Sequence, residues 1–182
     1  MVDMNGDLIE QFVDPTALEA MRSLLESQDT AKITKDAVTL SAIFNAGDVF
    51  ANIANSSAEA EEKLLNSFYN NLLLLIQKTW IEKTDEELKA QVLYHLENFS
   101  EFVKNHSYAE AYTVFLGIVN DVVYLMFGAQ AKSKDFDEYA LRIDPEFGIF
   151  WWYIHSLPEQ NDWSLDKKRI VILLGMFFLA NY

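Results

Sequence analysis

Residues 107–127 read SYAEAYTVFLGIVNDVVYLMF, and their spacing decides the fold class. Ser107 and Glu110 form a capping box, in which the hydroxyl can accept the third helical amide while the glutamate reaches back to the cap amide. After it, Tyr108, Ala111/Tyr112, Phe115, Ile118/Val119, Val122 and Leu125/Met126 recur every three or four residues, the period of one face of a helix. Over 114–127 nearly every other position is apolar as well, with Gly117, Asn120 and Asp121 as the exceptions. A helix that is apolar all round belongs inside a bundle, so this segment and the similarly broad NNLLLLIQ of 70–77 are expected to form its hub. At its centre Gly117 is expected to let a second helix approach closely, at a cost of about 1 kcal/mol in propensity relative to alanine.

The same signals extend outward in both directions. Ser56 to Glu59 and Thr84 to Glu87 are two further capping boxes, and apolar stripes of helical period follow them over about 57–82 and 85–104. Turns of two to four residues join these three helices, so they should pack antiparallel. Asp14-Pro15 and Asp144-Pro145 each place a capping aspartate before a proline in the first helical position, where the missing N–H costs nothing. Flanking helices are expected near 15–28, 35–55, 134–142, 145–156 and 165–181, and no alternating strand pattern appears. The expected fold is all-α, an irregular antiparallel bundle of about eight helices over 15–182. The alternative is a short α-α superhelix of tetratricopeptide type; the aromatic and alanine spacing of 105–115 suits it, but no second copy lies about 34 residues away. Residues 1–14 are expected to be an acidic, flexible N-terminal segment.

Composition excludes several kinds of chemistry. With 51% hydrophobic and 14% aromatic residues the chain can build a core unaided. It has no cysteine, which removes disulfides, thiolate metal sites and cysteine nucleophiles and is compatible with a cytoplasmic location. Its net charge of -14 argues against nucleic acid and anionic membranes as partners. Acidity is concentrated early, with 12 acidic and 4 basic residues over 1–64, which suits either a solvated surface or a docking face for a basic partner. The most apolar run, Ile170 to Ala180, is too short to span a bilayer and is expected as a buried terminal helix, the alternatives being a truncated anchor or an interfacial helix.

Candidate sites are few. Asp3, Asn5, Asp7 and Asp14 fall at calcium-loop spacing, but the position that needs glycine is Leu8 and no helix precedes them, so a flexible acidic turn is expected. His95, His106 and His155 belong to no metal-binding spacing: His95 lies at the edge of a core stripe and His106 in a turn. Asn120 shares a helical line with Leu116 and Val123 and is expected to be buried with a partner, whereas Asp121 falls on a more polar strip with Glu110, Thr113, Gly117 and Tyr124. No phosphate-binding glycine loop and no serine-nucleophile elbow is present, so no catalytic residue, cofactor or metal is assigned.

The remaining candidate is DPEFGIFWWYIHSLP (144–158). As a helix from Pro145 it places Phe147, Phe150/Trp151, Ile154 and Leu157 on one face, leaving Ile149, Trp152, Tyr153 and His155 on a second. With Trp163, that second face is the expected binding site, covered by the C-terminal helix, a second subunit or a ligand. The expectation from sequence is a non-catalytic interaction or assembly domain whose partner is another protein or a copy of itself. The alternative is a helical domain that holds an apolar small molecule or lipid near Trp151 and Trp152.

Overall fold

The computed structural model describes residues 15–42, 47–55, 58–79, 86–127, 131, 135–157 and 162–181. These residues form nine helices and no strand: α1 (Pro15–Glu26), α2 (Thr30–Ser41), α3 (Gly47–Asn55), α4 (Ala58–Thr79), α5 (Glu86–Lys104), α6 (Tyr108–Phe127), α7 (Phe136–Ile143), α8 (Pro145–Ser156) and α9 (Leu165–Asn181). The all-α bundle expected from sequence is what the chain forms. The acidic segment 1–14 and the capping residues Ser56 and Thr84 lie outside the described residues.

Most boundaries follow the local signals. Asp144 caps α8 by accepting the amide of Phe147 at 3.2 Å, with Pro145 in the first turn. The single helix expected over 35–55 is instead two, α2 and α3, and α2 begins five residues early. Its start is fixed by Asp29, whose carboxylate accepts the amide of Ala31 at 3.1 Å.

The hub also differs from expectation. Helix α9, not α6, is enclosed: every residue from Ile170 to Leu179 is buried, and α9 packs on α2, α3, α4, α6 and α8. The terminal apolar run is therefore a core helix, and no helix among the described residues is long and apolar enough to cross a membrane. Rings pack on both sides of it. Phe150 of α8 stacks on Phe178 with centroids 4.2 Å apart, and Phe50 of α3 meets Phe177 edge-on at 5.9 Å. On the α6 side Gly175 is required, because a Cβ there would fall 2.5 Å from the ring of Phe115. Gly148 does the same for the α7–α8 contact, where a Cβ would lie 2.6 Å from the Leu141 backbone. Gly117 has no such role: it is exposed, and apart from its own helix backbone and chain neighbours nothing lies within 4 Å of where its Cβ would stand.

Candidate functional site

Of the five residues that the sequence groups together, the side chains of Ile149, Tyr153, His155 and Trp163 are described. Ile149 and Tyr153 are each only 4% exposed, turned into the interior beside α9. The Tyr153 hydroxyl donates to the Val171 carbonyl of α9 at 3.4 Å, and burial, helped by the neighbouring Tyr112 phenol, holds its pKa well above the ordinary value. His155 is half-buried with its ring 3.9 Å from that of Trp151. Its Nε2 has no hydrogen-bond partner among the described residues, and burial lowers its pKa. The side chain of Trp152 lies outside the described residues. Trp163 stands before α9, half-buried, with its ring 5.8 Å from that of Tyr112. Ile149 and Tyr153 of the second face of α8 thus lie against the chain's own C-terminal helix. The apolar gap bordered by Ile149 and Tyr153 measures about 20 Å³, room for one water-sized group.

Trp163 packs at the start of α9. It covers Lys167, whose side chain is fully buried in the first turn of α9. The Lys167 ammonium donates to the carbonyls of Leu25 (3.0 Å) and Ser27 (2.6 Å), at the C-terminal end of α1, and sits 4.1 Å from the Trp163 ring centre. Carbonyls at a helix end carry partial negative charge and need donors. Two carbonyls and a ring face therefore provide the ammonium with three partners, while loss of water lowers its pKa to about 8.

Two residues later in α9 a second polar group forms, and no motif announces it. Glu61, in the first turn of α4, is 4% exposed. Arg169 Nε donates to its Oε1 at 3.1 Å, and the Tyr108 hydroxyl reaches both carboxylate oxygens, at 3.1 and 3.0 Å. Burial first, then the Glu61 charge, pushes the Tyr108 phenol up to about 12, so it keeps its proton. His106 completes the chain with Nδ1 2.9 Å from the Tyr108 oxygen. Because the one phenolic proton is committed to Glu61, the hydrogen on that bond comes from Nδ1, and Nε2 is the ring nitrogen left for another partner.

His106 occupies an unusual backbone position. Helix α5 ends in a Schellman turn, with the Ser107 amide on the Phe102 carbonyl (2.8 Å) and the His106 amide on that of Val103 (3.0 Å). The residue at that point must be left-handed; His106 has φ 58°, where glycine is the usual occupant and another residue costs about 1 kcal/mol. Beside it opens a cleft of about 270 Å³ lined by Glu61, Glu62, Leu65, Val103, Lys104 and His106.

The polar pair of α6 is arranged opposite to expectation. Asn120 is exposed and donates to the Leu116 carbonyl of its own helix at 3.1 Å. Asp121 is the half-buried member; it accepts from Gln91 of α5 at 3.1 Å, and burial raises its pKa. Among the described residues no group of three His, Asp or Glu side chains converges as a metal site.

The outer face of α5 is distinctive in another way. Its exposed positions from Glu86 to Glu101 include four carboxylates, Glu86, Glu87, Glu97 and Glu101, and no basic residue. Tyr94 stands among them, 66% exposed, on one helical line with Glu87 and Glu101 at seven-residue spacing. No family model, no curated protein and no solved structure matches the chain.

Proposed function

We propose that the chain is a non-catalytic protein-interaction module of a reducing compartment such as the cytoplasm, and that it binds a basic segment of a partner across the outer face of α5. The observation that carries this reading is Tyr94. It is the most exposed of the large apolar side chains described, and it stands on a helical face with four exposed carboxylates and no exposed cation. An aromatic ring among carboxylates suits an arginine or lysine, which can lie over the ring while its neighbours pair with the acids; such a contact contributes about 0.5–1 kcal/mol at an exposed site. A second copy of the chain is a poor occupant of this face, because two surfaces of net charge -14 would repel.

The test is a titration of the ¹⁵N-labelled protein with a lysine- and arginine-rich amphipathic helical peptide at low and moderate salt. The expected result is a set of amide shifts confined to 86–101, weakened by added salt and weakened several-fold by Tyr94→Ala, a change to an exposed side chain that leaves the fold intact. Shifts scattered over all acidic surfaces, or affinity unchanged in the Tyr94→Ala protein, would remove the reading. Against the apolar-ligand alternative stands the gap beside Ile149 and Tyr153, which at about 20 Å³ has no room for a lipid chain.

A further inference from the structure

The cleft over His106, at the junction of α4, α5 and α6, is independent of the α5 outer face, and we propose that it binds a small zwitterion with an aliphatic body, the chemistry of a branched-chain α-amino acid. The lining selects this class by elimination. A simple carboxylate would meet Glu61 and Glu62, and a simple amine would meet Lys104. A molecule with both charges can set its ammonium toward Glu62 and the Nε2 of His106 and its carboxylate toward Lys104, with its hydrocarbon portion on Leu65 and Val103. At about 270 Å³ the cleft has room for a molecule of that size and not for a nucleotide or a peptide strand.

The supporting shell is already built. Arg169 and Tyr108 hold Glu61 in place, so that carboxylate acts as a fixed anchor, and through Tyr108 it orients the His106 ring with Nε2 left to interact. The φ of 58° at His106 indicates the same thing. Glycine would relieve the backbone at this turn, so a histidine there is held against local preference by what its ring contacts.

The experiment is an amide-shift titration of the full chain with L-leucine, compared with isovalerate and isoamylamine, which each carry one of its two charges. The expected result is saturable shifts at 61–65 and 103–108 with an affinity on the order of millimolar, and weaker binding of both single-charge analogues. His106→Gly should keep or raise the melting temperature, since glycine suits the left-handed turn, yet weaken L-leucine roughly tenfold, as expected for one lost charge-assisted hydrogen bond. Lys104→Ala, a change at an exposed position, should weaken it by a similar factor. Absence of shifts in this region, equal binding of either single-charge analogue, or full affinity in both variants would overturn the proposal.

Discussion

Helices α6 and α9 are the two most apolar long segments of the chain, yet only α9 is enclosed. The difference lies in where their polar residues stand. In α6 they are spread along the helix as a strip: Glu110, Thr113, Gly117 and Asn120, all exposed, recur at three- and four-residue intervals. That strip must face water, so α6 can be covered only on the remainder of its surface. In α9 the charged residues, Asp166 to Arg169, occupy the first turns, and the helix beyond them is apolar in every direction. A rod of that kind can be surrounded, but the hydrophobic effect is non-directional and gives it no preferred rotation or depth. Its first turns supply both: Lys167 binds the end of α1, and Arg169 binds Glu61 on α4.

If that collar sets the register of α9, breaking its charged pair should have the largest effect. Glu61→Ala leaves Arg169, with a side chain 22% exposed, and the buried Tyr108 hydroxyl without their acceptor. Loss of one partner from a buried ion pair costs about 3–5 kcal/mol. The expected outcome is a fall of that size in urea unfolding, with Glu61→Gln recovering part of it. A loss below about 1 kcal/mol, the range of a surface pair, would show that packing alone registers α9.

Lys167 provides a smaller and pH-dependent test. Lys167→Met leaves the Leu25 and Ser27 carbonyls without their donor and should cost about 1–3 kcal/mol at neutral pH. The folded ammonium titrates at about 8 and the unfolded one at 10.5, so between these values the unfolded chain holds more protons and stability rises with pH. Tyr108 acts in the opposite sense. Its phenol keeps its proton to about 12 when folded and to 10.0 when unfolded, so its contribution is complete below 10.0 and is lost as pH climbs toward 12. Denaturant midpoints measured across this range should show the rise missing from Lys167→Met and the fall diminished in Tyr108→Phe.

The sequence makes the helices legible but not which of them is central. Capping boxes and three-and-four spacing are local, and they locate α4, α5, α6, α8 and α9 well. A count of apolar residues points to α6 as hub, whereas enclosure depends on whether the polar ones share a line. Glu61 is readable in principle, since it lies on the same helical line as Leu64/Leu65, Phe68 and Leu72. It draws no notice there, because a glutamate in the first turn of a helix is ordinary on electrostatic grounds. Lys167 stands likewise on the line of Ile170/Val171 and Leu174. The partners of both come from 108 and about 140 residues away, and no short-range pattern encodes such pairings. For α8 the spacing separates the two faces, but Ile149 and Tyr153 are core positions because α9 lies over them.

The smallest expected effect contrasts the same two helices through their glycines. Gly117 in α6 faces solvent with nothing beyond its own helix backbone and chain neighbours within 4 Å of where a Cβ would stand, whereas at Gly175 in α9 that position lies 2.5 Å from the Phe115 ring. Alanine is favoured over glycine by up to about 1 kcal/mol in an open helical site. Gly117→Ala should therefore raise the unfolding midpoint slightly, and Gly175→Ala should lower it, because a buried ring held between α4, α5 and α6 has no room to retreat. Identical changes of opposite sign would tie the difference between the two helices to enclosure itself. A stabilising Gly175→Ala would mean that α9 can shift within the bundle, and the collar at its first turn would then be a weaker clamp than its hydrogen bonds imply.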